Sequence, residues 1–351
     1  MNSVRSPLEN KGIDEAYRKN RVRSVCFLLI LSAVLLAAIF LSLRAGSYET
    51  PGIELIKGVF GLSSDRKVNL VVQNNRLPRI VTAVLAGGGL GLAGCILQAV
   101  LRNPLASAST LGVSQGATFG AAFAIVVLGM GSTSGVGIPL FAFLGSIAVA
   151  LVILGLSRFR QVTPEGIVLA GVAISSMFTG ATTLLQYFAD EVELATLVFW
   201  TFGDLGGTGW EDLGSMAAVV AVLCVYCFLH RWDYNALLSG EETAISLGIH
   251  VKGLTLVNMV LCCLCSSVVV SHVGLISFIG LVAPHIVRIV VGNNHVYLIP
   301  GAILGGAVLL LMGDLFARTV ISPVILPIGA ITSFLGGPLF LYLLFKGGKK
   351  Q

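Results

Sequence analysis

The chain has 351 residues, of which 56% are hydrophobic and only 11% charged, with a net charge of +5. A soluble domain carries about 25% charged residues, so this composition excludes a water-soluble globular protein and marks an all-α polytopic membrane protein. The basic residues sit mostly in short connections, where they anchor helices, and they require no nucleic-acid partner.

Residues 1–24 read as a polar, basic N-terminal tail. The apolar run from Val25 to Leu43 that follows is too long for a signal-peptide core and reads as an uncleaved first span. About 20 apolar residues cross a bilayer as a helix. Ten spans are predicted, near 25–44, 78–100, 108–129, 138–156, 167–189, 214–229, 253–271, 275–291, 301–318 and 327–345. They make one transmembrane domain over 25–345, followed by a short tail at 346–351. With the N-terminus inside, the inner segments hold 15 of the 22 lysines and arginines, which places both termini in the cytoplasm. Spans 2–5 and 7–10 then run in opposite senses, the topology of inverted-repeat transporters. Glycines four apart, at Gly87–Gly91, Gly112–Gly116–Gly120 and Gly301–Gly305, form small-residue faces for close helix packing.

Along the chain, "RLPRIVTAVLAGG" from Arg76 to Gly88 places Arg76 and Arg79 on the first turn of the second span. That position opposes the helix dipole, and on the outer side it also runs against the positive-inside bias. Arg318 lies outside in the same way, at the mouth of the ninth span. The conflict reads as a need for negative charge, met by lipid phosphate or by an acidic partner.

The inner connection "LQAVLRNPLASASTLGVSQGA" carries the turn signal Asn103-Pro104. It then brings Ser107, Ser109, Thr110, Ser114 and Gln115 into the third span. These residues either line a polar path or bond to neighbouring helices. "SRFRQVTPEG", with Thr163, Pro164 and Glu165, is a turn on the same side. The outer connection from Ala189 to Leu213 holds Trp200, Trp210 and several acids, an interfacial belt beside a solvated face.

The largest inner connection, near 230–254, contains Ser239-Gly240-Glu241-Glu242, a capping-box pattern with Ser239 as N-cap and Glu242 at N3. Gly248 fits the position just past the helix end. A helix of two turns is marginal alone in water. It starts acidic, so an anionic membrane surface suits it less than a protein partner. In "SHVGLISFIGLVAPHIVRIVVGNNH", His285 reads as a polar group satisfied by a neighbouring helix rather than a proton relay.

Several stretches together resemble the FecCD family, the permease subunits of ATP-binding-cassette importers for iron chelates and vitamin B12. They are "RLPRIVTAVLAGGGLGLAGCILQAVLRNPLA", "LGVSQGA", "VLAGVAI", "SGEETAISLGI", "GLISFIGLVAPHIVR", "GDLFARTV" and "LPIGAITSFLGGPLFLYLL". Their order and spacing fit along nearly the full length. The resemblance implies a vitamin-B12-importer-like permease fold of about ten transmembrane helices, working as a homodimer in the cell membrane. Two cytoplasmic ATPase subunits, which use ATP and Mg, and an extracytoplasmic substrate-binding protein would complete the transporter.

It further implies that Arg76, Arg79 and Arg318 meet acidic residues of the binding protein. Gly240, Glu241, Glu242, Ala244, Leu247 and Gly248 match the coupling helix that enters a groove of the ATPase. Asn103, Pro104, Ser114, Gln115, Thr163, Pro164 and Glu165 fall at the inner gate and pathway, although Pro164 and Glu165 depart from the small hydroxyl residues usual there. The chain lacks a G-x-x-x-x-G-K-[ST] phosphate loop, and no cofactor, metal site or enzymatic constellation of its own is expected. Cys262, Cys263 and Cys265 do not have zinc-site spacing. Ferric siderophore is the first substrate expectation, with haem or cobalamin as alternatives. An ion-coupled secondary transporter would need acids near the midplane, and the spans hold few.

Overall fold

The computed structural model describes residues 7–46, 51–131, 136–157 and 163–347. The start of the predicted N-terminal tail at 1–6, residues 158–162 of the turn before Thr163 and the end of the C-terminal tail at 348–351 lie outside them. Regular structure in the described residues is entirely helical. Seven helices are long and apolar enough to cross a membrane, and three shorter apolar helices begin at Val113, Ile279 and Ile328. Together they coincide with the ten predicted spans.

The first helix, α1 (Pro7–Arg44), runs back through most of the predicted tail, where glutamate, lysine, alanine and arginine favour helix. Two short helices that sequence reading missed, α2 (Gly52–Val59) and α3 (Arg66–Val71), follow. They bury Leu55 against Val68 and Val72. A π-helical turn, Val72–Arg76, joins α3 to α4 (Leu77–Val100). The next helices are α5 (Val113–Ala122), with a π-helical end at Phe123–Val127, α6 (Gly137–Ser157), α7 (Pro164–Phe188) and α8 (Glu191–Phe202). Then come α9 (Trp210–Leu229), the short α10 (Arg231–Leu237) and α11 (Glu241–Ser246), and α12 (Val251–Val273). The chain ends with α13 (Ile279–Val291), α14 (His295–Thr319) and α15 (Ile328–Gly347).

The centre of the bundle is α4, which packs on α14, α12, α13 and α9, while α5 packs on α6 and α7. The predicted glycine faces make these contacts. A methyl group on Gly87 or Gly91 would run into the backbone of α14 at Gly306 or Ala302. One on Gly116 or Gly120 would strike α6 at Gly145 or Phe141. In lipid there is little hydrophobic drive between helices, so close backbone approach and dispersion hold them together.

The largest core cluster gathers residues of α4, α6, α9, α10 and α12 around the wholly buried Tyr234. Its hydroxyl donates to Asn258 Oδ1 at 2.7 Å, and Asn258 Nδ2 donates to the Leu254 carbonyl at 2.7 Å. Burial pushes the Tyr234 phenol well above its usual range, so it stays neutral and keeps this donor role.

The third span departs from expectation. It is helical only from Val113, and the preceding twelve residues fold irregularly although Leu101, Ala106, Ser107 and Leu111 are buried. Irregular backbone at such depth must be satisfied by the protein itself. Here the Ser107 amide donates to Thr110 Oγ1 at 2.8 Å and the Thr110 amide to Ser107 Oγ at 3.1 Å. Neither of the two readings left open for these hydroxyls describes Ser107 and Thr110, which serve the backbone of their own loop.

Candidate functional site

The predicted site residues gather at the two ends of the bundle. At the end where α1 finishes, the three arginines converge. Arg79 Nε donates to Asp314 Oδ1 at 2.9 Å, and Arg318 Nε donates to Asp314 Oδ2 at 2.9 Å. Asp314 is fully buried. Arg79 also lies 3.7 Å from Asp204, which is exposed. Arg318 reaches further to Ser42 Oγ and to the Ala45 carbonyl, and Arg76 donates to the Leu43 carbonyl at 2.6 Å. The three guanidiniums line one cavity of about 440 Å³ together with Asn75, Asp204 and Gly206.

This geometry revises the electrostatic argument made from sequence. Arg76 and Arg79 are not at a helix start. The helix runs back through the π turn to Arg66, where Asp65 caps it by accepting from the Lys67 amide at 2.8 Å. A π turn makes bonds one residue longer than an α turn, here from the Leu77 amide to the Val72 carbonyl. Pro78, which has no amide to give, follows directly. Arg79 and Arg318 find negative charge within the chain, on Asp314. Its pairing with a residue 235 positions away left no local trace in the sequence.

Around the same end, the acids of the 189–213 connection do structural work rather than only facing solvent. Asp190 and Glu193 form a reciprocal capping box at the start of α8, a helix whose D-x-x-E signal was legible but not used. Trp210 Nε1 donates to the Gln73 carbonyl at 2.8 Å, tying α9 to the π turn. His272 lies 3.0 Å from Ser215 Oγ and 3.5 Å from Asp212. It lines a cavity of about 870 Å³ with Glu191, Thr196, Phe199, Trp200 and Asp204.

At the opposite end stands the predicted coupling segment, α11. Its N-cap is Gly240, with φ +106°, and no side chain caps it. The expected Ser239 cap is therefore not formed. Gly248, with φ +86°, does end the helix as expected. Its amide bonds the Ile245 carbonyl, and the Ile249 amide bonds the Ala244 carbonyl, the paired pattern of a Schellman motif. Ala244 is buried, while Ile245 and Leu247 are exposed, so the segment offers an apolar surface outward.

A contact missed from sequence joins this segment to the predicted gate turn. Arg102 NH2 donates to Glu241 Oε2 at 2.7 Å across 139 residues. Arg102 holds this position in the left-handed region, at φ +46°, rare for a residue other than glycine. Next to it, Asn103 Oδ1 accepts from the Leu105 amide at 2.9 Å, and Pro104 is exposed. Thr163 caps α7 by accepting from the Gly166 amide, and Glu165 lies near enough to feel the Arg102 charge. The turns at 102–104 and 163–165 thus share one end of the bundle. Ser114 is buried and bonds Ser109, and Gln115 is half-buried. His285 meets the Phe340 ring of α15 edge-on at 6.1 Å, but its buried Nδ1 has no hydrogen-bond partner among the described residues, so the expected satisfaction by a neighbouring helix does not extend to this atom.

Between the two ends, α7 exposes Ser176, Thr179, Gly180 and Thr183 on one side. Ser176 and Thr183 return their hydroxyls to carbonyls one turn back, at 3.1 and 3.0 Å. Leu169, Val172, Met177 and Leu184 are exposed on the same helix, so the uncovered surface of α7 mixes hydroxyl and apolar side chains.

A multi-pass bundle with polar clusters at both ends, a face of mixed hydroxyl and apolar side chains between them and a short exposed helix beyond it is a membrane transport subunit. The chain belongs to the FecCD transport family, whose description matches residues 34–346. It is 46% identical to a Methanocaldococcus jannaschii protein that bears the name of an ABC transporter permease, MJ0087, over 96% of this chain and 99% of that one. It is 35% identical to the hemin transport system permease HmuU of Yersinia pestis, over 91% of this chain and 96% of that one. A solved structure described as an inward-facing conformation of a metal-chelate type ABC transporter superposes with a TM-score of 0.80 and 30% identity, covering 91% and 99% of the two chains.

Proposed function

We propose that this chain is the permease of a binding-protein-dependent importer of an iron chelate, acting as one half of a homodimer in the cell membrane with both termini in the cytoplasm. Ferric siderophore is the preferred cargo. A haem or cobalamin importer of the same family is the second reading, favoured for haem by the relative that transports hemin. The observation that carries the proposal is the tie between α11 and the turn at Arg102-Asn103-Pro104. A docking helix held by an ion pair to a gate turn is what force transmission from a separate ATPase requires.

In this mechanism a loaded binding protein docks at the Arg76–Arg79–Arg318 cavity through an acidic side chain. Among the described residues the cavity lining holds Arg76, Arg79 and Arg318 and one acid, Asp204, with Asp314 buried behind Arg79 and Arg318, so it is rich in positive charge. ATP and Mg are used by two partner ATPases that receive Ile245 and Leu247 of α11. Their motion opens the turns at Asn103–Pro104 and Thr163–Glu165, and the chelate passes along the α7 face between two copies. The fully buried Asp314 is not a free midplane acid, because two arginines engage it, which weighs against an ion-coupled carrier.

The test is reconstitution of the chain with its ATPase and binding protein in proteoliposomes. ATP hydrolysis stimulated by the loaded binding protein, with chelate uptake, supports the proposal. Uptake driven by an ion gradient without ATPase would refute it. Charge reversal at Arg79, which is only 12% exposed and paired with Asp314, should weaken docking of the binding protein, with the unfolding midpoint measured alongside to separate lost docking from lost fold. Unchanged affinity would remove the docking role.

A further inference from the structure

One cleft at the α11 end of the bundle is used by none of the steps above. It lies between the start of the apolar part of α1 and the turn joining α13 to α14, and has a volume of about 390 Å³. Asn20, Arg21, Arg23 and Ser24 form one wall, and Gly292, Asn293, Asn294 and Tyr297 the other. Among the described residues the lining contains two guanidiniums, three amides and two hydroxyls, and no acid. Ser24 is buried, only 3% exposed. The N-terminus of the 25-residue α14 opens beside it and adds its positive end. The first amides of that helix are already used, His295 by Asn235 Oδ1 and Val296 by Asn294 Oδ1. A ligand would therefore be held by the side chains, with the dipole as background field.

The cleft is polar at its mouth and apolar below, where Ile289, Val290 and Val291 line it and α1 turns apolar at Val25. The change from basic to apolar sequence at Val25 marks where a span meets lipid headgroups, and α1 is a peripheral helix of the bundle, with little of its apolar length buried. A soluble anion would gain nothing from the apolar wall, whereas a phosphodiester carrying acyl chains matches both parts.

We propose that this cleft binds the headgroup of an anionic phospholipid, with Arg21 and Arg23 on the phosphate, Ser24 and Tyr297 as hydroxyl donors, and the α13 wall against the glycerol and upper acyl chain. The lipid would clamp α1 to the α13–α14 turn.

The experiment is a titration of the delipidated full chain with phosphatidylglycerol, read by native mass spectrometry. Each basic residue near an anionic surface contributes enough that Arg21→Gln with Arg23→Gln should weaken binding about thirtyfold. Arg18→Gln with Lys19→Gln removes the same charge from the same helix outside the cleft and should leave binding nearly unchanged. Arg21→Lys with Arg23→Lys should retain most of the affinity. The proposal fails if the two glutamine pairs lose affinity equally, because the attraction is then diffuse. It fails if the lysine pair loses as much as the glutamine pair. It fails also if phosphatidylcholine binds as well, or if inorganic phosphate displaces the lipid, which would identify a free-anion site.

Discussion

Asp314 accepts from Arg79 and Arg318 with both carboxylate oxygens while completely buried. Two cations on one carboxylate make it the least replaceable charge in the molecule. Asp314→Asn would strand two guanidiniums, and breaking a buried pair costs about 3–5 kcal/mol. Arg79→Gln leaves Arg318 in place on the carboxylate and should cost less. Thermal unfolding of the two variants in detergent checks the order, and equal loss would show that the Arg318 pair adds nothing once Arg79 is gone, so that the two pairs act as one unit. The sequence showed that these arginines needed negative charge but assigned it to an outside partner. Asp314 was visible near the outer end of its span, yet nothing local linked it to Arg79.

At the scale of elements, α11 and the gate turn meet through Arg102 and Glu241, with α11 flanked by two left-handed glycines. The pair is partly exposed, so its contribution to stability is small and its value lies in linkage. Arg102→Gln or Glu241→Gln should lower chelate transported per ATP hydrolysed while the ATPase still copurifies. The exchange Arg102→Glu with Glu241→Arg should restore part of that ratio. Wild-type ratios in both single variants would remove the link. Packing gives a second prediction. A methyl on Gly94 meets the Gly280 backbone, whereas Gly155 of α6 faces open space. Overpacking costs about 1–3 kcal/mol, so Gly94→Ala should lower the unfolding midpoint. Gly155→Ala should hold or raise it through helix propensity.

At the scale of the whole molecule, the proposed homodimer places the exposed Thr183 side of α7 against the second copy. Thr183→Cys, in a chain with the exposed Cys26 replaced by alanine, should cross-link to a dimer in membranes with a short bifunctional thiol reagent. Val225→Cys, on the exposed apolar side of α9, should not. The reverse pattern would move the dimer face. The sequence by itself determined the class, the ten apolar elements, the glycine faces and the C-terminal stop of α11. Those features depend on composition, on length against bilayer thickness and on short-range backbone geometry, all of which are local. Only the tertiary structure decided that Asp314 pairs with Arg79 and Arg318, that Arg102 pairs with Glu241 of α11, that the stretch before Val113 is irregular, and that a basic cleft opens beside Arg21 and Arg23. Each of these depends on residues far apart in the chain being brought within a few ångströms, and the pattern of apolar runs does not encode that distance.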